Sequence, residues 1–104
     1  MESVFVCNMN ALDKTQRGRY NTITQTLKDA RQELQELDDG YAFRFKAESQ
    51  LIQNAAEFIV YERLCCPFFD FELSVENAGD SLWLRLRGQE GIKEFIRSEF
   101  NINL

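Results

Sequence analysis

Residues 68–88 read FFDFELSVENAGDSLWLRLRG, two alternating runs on either side of a polar turn. In the first run Phe69, Phe71, Leu73 and Val75 share one face, and Asp70, Glu72, Ser74 and Glu76 share the other. In the second, Leu82, Leu84 and Leu86 alternate with Trp83, Arg85 and Arg87. A period of two marks a strand with one buried face, and NAGD between the runs is turn chemistry. With a four-residue loop, Glu76 faces Ser81, Ser74 faces Trp83, Glu72 faces Arg85 and Asp70 faces Arg87. The same register sets Val75 against Leu82 and Phe71 against Leu86. Opposite charges meet on the solvent face, each pair supporting the register by ~0.2–1 kcal/mol. Charge and hydropathy agree, so strands over 68–76 and 81–88 are expected to form an antiparallel hairpin.

Working outward, YAFRFKA (41–47) alternates in the same way, with Tyr41, Phe43 and Phe45 on one face. SVFVC (3–7) is a short β-branched and aromatic run, read as a first strand ending at Cys7. Asp13 opens DKTQ, a capping box with Gln16. Tyr20, Ile23, Leu27, Ala30, Leu34 and Leu37 then step by three and four, which predicts a helix over 14–37. DDG ends it, with Gly40 free to adopt a positive φ. Ser49 caps a second helix over 50–65, and Pro67 closes it. Ile92, Phe95, Ile96 and Phe100 mark a C-terminal helix after Gly91. The predicted order is β-α-β-α-β-β-α: an α/β (α+β) two-layer sandwich, a mixed four-stranded sheet with helices mainly on one face. The chain of 104 residues holds one core, so residues 1–104 are read as a single domain.

The net charge of −5 speaks against general nucleic-acid binding, which needs clustered Lys and Arg. No apolar run is long enough to span a membrane, and the N-terminal residues lack the pattern of a signal peptide, so a cytoplasmic protein is expected. Thiols stay reduced in that compartment. The three cysteines therefore point to a free thiol, a metal site or redox chemistry rather than to a structural disulfide. With no histidine, any chemistry must run on Cys, Glu, Asp, Tyr, Lys or Arg.

The segment ERLCCPFFDFEL (62–73) collects the candidates. On a wheel of about 100° per residue with Leu51 at the origin, Ala55, Ile59 and Ile52 define an apolar arc from about 0° to about 100°. Cys66 falls near about 60° and Glu62 near about 20°, inside that arc, while Gln53 and Glu57 fall on the solvent side. A carboxylate on a buried face must be paired, hydrogen-bonded or protonated. Arg17, Arg19 and Arg63 are its candidate ion-pair partners; the other reading makes Glu62 a proton-transfer group or ligand beside the thiols. Glu62 stands three and four residues before Cys65 and Cys66, within helical reach. Adjacent helical side chains diverge by about 100°, so one of these cysteines is expected to face the core and the other to lean toward solvent. In a turn they can also converge on a metal or close a vicinal disulfide. A helix C-terminus normally lies at the sheet edge opposite the end of a preceding strand, so simple topology leans against a meeting of Cys7 with the pair, although strand–turn geometry can still bring them near.

Three classes of function follow. Thiolates select zinc, copper(I) and heavy thiophilic ions, so Cys7, Cys65 and Cys66, joined by Glu62, are a candidate metal set, with zinc as the cofactor to expect if any. The same cysteines fit thiol redox or sulfur handling, with Glu62 or a nearby arginine tuning the thiolate. The alternative is a non-enzymatic interaction module with buried structural cysteines. Its contact surface is the outer sheet face at Trp83, Arg85 and Arg87, where Trp83 anchors a protein partner or homodimer contact unless the C-terminal helix covers it. No nucleophile–base set, phosphate loop or dinucleotide motif is present, so a conventional hydrolase or transferase is not expected.

The segments VFVCNMNAL, GYAFRF, AAEFIVYERLCCPFFDFEL and LWLRLRGQEGIKEFI resemble a family of small bacterial proteins that carry an ERxCCPF segment. That resemblance implies kinship without a mechanism. It carries over Cys7, Glu62, Arg63, Cys65, Cys66, Pro67 and Phe68. The predicted element order, with a cysteine between first strand and first helix, also looks like the TusA/SirA sulfur-carrier fold. There the matching cysteine carries a persulfide and precedes proline; here Cys7 precedes Asn8.

Overall fold

The computed structural model describes residues 5–102. It is an α+β two-layer sandwich in which a four-stranded sheet carries three helices on one side. Helix α1 spans Lys14–Ala30, α2 spans Ser49–Cys65 and α3 spans Ile92–Glu99. The strands are β1 (Glu33–Leu37), β2 (Gly40–Lys46), β3 (Asp70–Glu76) and β4 (Ser81–Arg87).

The β3–β4 hairpin has the register read from its charges. Asp70 pairs with Arg87, Glu72 with Arg85, Ser74 with Trp83 and Glu76 with Ser81. The loop takes left-handed backbone at Asn77, Ala78 and Gly79 (φ 57°, 55° and 88°), which an asparagine and a glycine accept at little cost. The ion pairs follow this register only in part. Arg85 reaches both Glu72 and Glu76 (3.0 and 3.1 Å), whereas Arg87 turns to Asp39 (2.7 Å) in the neighbouring turn.

The fourth strand is not where the β-branched run placed it. Residues 3 and 4 of that run lie outside the described residues, and residues 5–7 belong to no strand. The strand comes instead from the tail of the expected first helix, which stops at Ala30. Arg31 already has extended backbone (φ −61°, ψ 127°), and the Gln32 N–H donates to the Arg44 carbonyl at 2.8 Å. The spacing of Leu34 and Leu37 suits a helix, but β2 offers an unpaired edge whose other side is already held by β4. Satisfying that edge outweighs a weak local preference. Glu33 pairs with Arg44 and Leu37 with Gly40, leaving Asp38 and Asp39 as the turn. Gly40 is therefore a strand residue rather than a helix stop. A Cβ there would lie 1.8 Å from the Leu86 carbonyl oxygen, so glycine is required by the close approach of β2 and β4.

The sheet order is β1-β2-β4-β3 and every neighbouring pair is antiparallel, which corrects the expectation of a mixed sheet. With residues 5–7 outside the sheet there is no strand for a parallel neighbour. The crossover through α2 joins β2 to β3, which run in the same direction, but β4 lies between them. The core forms where Tyr41, Phe43, Phe45, Leu82, Leu84 and Leu86 meet Tyr20, Ile23 and Leu27 of α1, Ala55 and Phe58 of α2, and Ile92, Phe95 and Ile96 of α3. β3 is an edge strand, so its inward positions are less covered than expected: Phe69 is buried, Phe71 and Leu73 are half-buried, and Val75 is 49% exposed. Among the described residues, no helix is long and apolar enough to cross a membrane.

Candidate functional site

The buried face of α2 runs through Ala55, Phe58, Glu62 and Cys65. It is rotated from the sequence-derived arc, because Ile52 and Ile59 sit at its margin. The rotation leaves Glu62 at the centre of the face and fully buried, at 0% exposure. None of the candidate arginines meets it. Arg19 makes a two-point contact with Glu57 (2.9 and 3.0 Å), Arg17 donates to the Leu12 carbonyl, and Arg63 is exposed. An arginine drawn into this layer would leave water for one acceptor, whereas each pair at the surface keeps part of its hydration. The partner of Glu62 is Tyr20, whose hydroxyl donates to Oε2 at 2.5 Å. Tyr20 looked like one more apolar residue of a helical stripe; the available signal was a tyrosine, with its polar tip, facing a stripe that contains a carboxylate.

The other oxygen, Glu62 Oε1, is buried without a hydrogen-bond partner. Burial pushes the Glu62 carboxyl up to about 7; the Glu99 charge adds to this, while the Tyr20 hydrogen bond opposes it. Burial, followed by the charge of Glu62, also pushes the Tyr20 phenol far up, so the phenol keeps its proton and acts as the donor. Replacing Tyr20 with Phe strips the Glu62 carboxyl of its one hydrogen bond and is expected to cost about 1–2 kcal/mol in chemical denaturation. The same change moves the Glu62 titration to still higher pH, readable by carbon-13 NMR of the carboxyl. An unchanged or lower midpoint would contradict the assigned hydrogen bond.

Cys7 reaches this layer because the N-terminal segment crosses the C-terminal end of α2 instead of joining the sheet. The Asn8 N–H donates to the Cys65 carbonyl (2.8 Å), one of the acceptors a helix end leaves free. The Asn8 side chain accepts from Asn10 N–H (3.1 Å) and starts a 3-10 turn over Met9–Ala11. Leu12 is buried just beyond it, and the Phe5 ring packs 4.8 Å from that of Phe68. At the helix end the Cys66 N–H donates to the Glu62 carbonyl (2.7 Å). Cys7 and Cys66 are thereby joined as a disulfide with their Cα atoms 4.7 Å apart. This corrects the expectation that topology separates Cys7 from the pair; the link itself is compatible with the redox reading of the cysteines, and Cys65 is the one left without a disulfide partner. The strand-edge argument fails because residues 5–7 are not a strand.

Cys65 and Cys66 are both buried, at 1% and 0% exposure, because the crossing segment covers the one that would otherwise turn outward. The Cys65 thiol is free and faces the Tyr61 and Glu62 carbonyls of its own helix (3.4 and 3.7 Å). Burial, followed by the Glu62 charge, pushes it up to about 11, which keeps it a thiol near neutrality. The three sulfurs therefore do not share one site. The group that does converge is Cys7, Cys66 and Glu62, whose sulfurs and one carboxylate oxygen lie within 4.8 Å of one another.

The outer-face residues stand apart from this group. Trp83 is half-buried on the sheet face opposite the helices, and the Arg85 guanidinium lies 5.3 Å from its ring centre. α3 does not cover it; α3 packs on the inner side, where Arg97 donates to the Tyr41 hydroxyl (2.8 Å). Arg85 and Arg87 are both engaged in ion pairs.

No protein-family model, curated protein or solved structure matches this chain.

Proposed function

We propose that the protein works through a reversible dithiol–disulfide couple of Cys7 and Cys66. The observation that carries this reading is the pairing of the two cysteines across 59 residues of chain, with Cys7 half-buried and Cys66 fully buried. Access then fixes the order of exchange. A thiolate of an external dithiol attacks the Cys7 sulfur. A mixed disulfide forms at Cys7, the Cys7–Cys66 bond breaks, and its electron pair leaves on the Cys66 sulfur. That sulfur takes a proton, and the nearest acid is the Glu62 carboxyl, which is replenished from solvent. The second thiol of the reductant then attacks the mixed disulfide and leaves as part of a cyclic disulfide, while the Cys7 sulfur takes up a proton. Two electrons and two protons reach the protein, and the reductant loses the same. Cys65, facing its own helix carbonyls, has no part in the exchange.

The test equilibrates native protein with graded ratios of reduced and oxidised dithiothreitol, then alkylates the thiols and weighs the products. Cys7 and Cys66 are expected to gain label together along one reversible curve, unchanged in Cys65→Ser. Cys66→Ser is expected to show Cys7 as a freely alkylated thiol at every ratio, because the second thiol of dithiothreitol resolves any mixed disulfide there, whereas Cys7→Ser leaves buried Cys66 unlabelled. A pair that stays closed at every ratio until the protein unfolds would make the link purely structural and end this reading.

A further inference from the structure

When the couple is reduced, two thiols and a carboxylate occupy one small volume with an imperfectly satisfied polar group among them. We infer that the reduced protein binds one thiophilic divalent cation, of which zinc is the type, through Cys7 Sγ, Cys66 Sγ and a Glu62 oxygen, and that closing the disulfide ejects it. This inference rests on the reversible couple proposed above.

The geometry is the first argument. The three donor atoms already lie within 4.8 Å of one another. Tetrahedral zinc with sulfur bonds of ~2.3 Å sets two sulfurs about 3.8 Å apart. Opening the disulfide and separating its sulfurs to that distance keeps them inside the 4.8 Å that the three donor atoms now span. The second argument is Glu62. Its Oε2 is held by the Tyr20 hydroxyl while Oε1 is buried and unpartnered. A carboxylate fixed through one oxygen by a protein donor, with its other oxygen free, is the arrangement that orients a metal ligand from behind. The third argument is charge. Two thiolates and a carboxylate carry three negative charges in a buried site, and a divalent cation offsets two of them. Thiolate donors also set the class of ion, favouring zinc over magnesium or calcium.

The ligand set differs from the one the cysteine pattern suggested. Cys65 is excluded, since its sulfur faces the Tyr61 and Glu62 carbonyls and lies outside the converging group. Glu62 replaces it. Three protein ligands leave a fourth position for water or an external donor, approached from the half-exposed side at Cys7. Binding exchanges the two thiol protons, and the Glu62 proton where the carboxyl holds one, for one cation. Oxidation by an external disulfide joins the two sulfurs, passes two electrons to the oxidant as its two thiols form, and returns the cation to solution.

The test titrates the reduced full chain with Co²⁺ under anaerobic conditions, then displaces it with Zn²⁺. One equivalent is expected to bind with sulfur-to-cobalt charge-transfer and tetrahedral d–d bands. Bound Zn²⁺ should protect Cys7 and Cys66, but not Cys65, from alkylation in mild denaturant. Cys65→Ser is expected to bind within twofold of the parent, Glu62→Gln at least tenfold more weakly, and Cys66→Ser not at all. Oxidised dithiothreitol added to the cobalt-loaded protein should bleach the bands. If Glu62→Gln does not fold, the alkylation pattern of the parent still identifies the ligands. No bands in protein whose Cys7 and Cys66 are shown by alkylation to be free overturns the metal inference alone. Loss of binding in Cys65→Ser overturns the ligand set. A pair that cannot be reduced in the native protein overturns both the couple and the cation site built on it.

Discussion

Opening the Cys7–Cys66 link is expected to lower the stability of the fold by about 4 kcal/mol, the loop-closure entropy of a cross-link spanning some 60 residues. The link ties the N-terminal segment to the end of α2, and the intervening chain holds α1, β1, β2 and α2. A cross-link that encloses so much chain restricts the unfolded ensemble strongly. Few packing contacts need to change when it opens, because the Asn8–Cys65 hydrogen bond and the burial of Leu12 hold the same segment independently. Guanidinium denaturation with and without a dithiol reductant measures the difference. Cys66→Ser should reproduce the reduced value with a further loss from setting a hydroxyl at a fully buried position. Cys65→Ser, which leaves the link closed, should lose far less. Oxidised and reduced midpoints that coincide would mean the link does not constrain the unfolded chain as its span requires. Domains of this size hold about 5–15 kcal/mol in total, so the reduced state remains folded only if the rest of the core supplies the remainder. The reversible couple depends on that margin.

The second large effect lies in pH. In oxidised protein, stability is expected to fall by about 3 kcal/mol as pH rises from below 4.5 to above 7, through Glu62 alone. The sign follows from proton counts. The folded-state value of about 7 lies above the ordinary 4.5, so between them the folded protein holds a proton that the unfolded chain has released. Where the native state binds more protons, raising the pH favours unfolding. The stability associated with the protonated carboxyl is complete below the unfolded value and is lost through the folded one. Glu62→Gln keeps the shape and the acceptor for the Tyr20 hydroxyl but cannot titrate. Its stability relative to the parent should therefore rise by about 3 kcal/mol between pH 4 and pH 8, and urea denaturation at a series of pH values reads the difference directly. A difference that stays flat over this range would show that Glu62 is already ionised, with charge compensation from another group.

Much of the scaffold was legible. The hairpin could be aligned residue by residue because two separate properties, charge outside and hydropathy inside, repeat with the same period and have one register in common. The capping box at Asp13 and Gln16 forms as its spacing suggests, since both hydrogen bonds lie within one turn. The burial of Glu62 was legible too, because angular position on a helix follows from residue number alone. The segments that misled are those where local preference is weak. ELQEL serves as helix or strand, and only the open edge of β2 resolves it. The run before Cys7 has strand composition but no strand beside it.

Local pattern was thus enough for the start of the first helix, the other two helices, the hairpin, the single-faced sheet and a charge set among apolar residues, all of which depend on neighbours a few positions away. The partner of that charge and the pairing of the cysteines required the fold. Tyr20 and Glu62 are 42 residues apart, and Cys7 and Cys66 are 59 apart. No spacing rule connects such positions. They meet because α1 packs on α2 and the N-terminal segment satisfies the free carbonyl at the end of α2. Long-range packing, acting through burial and unmet hydrogen bonds, places a tyrosine where an arginine was expected and joins Cys7 to Cys66 while leaving Cys65 a buried thiol.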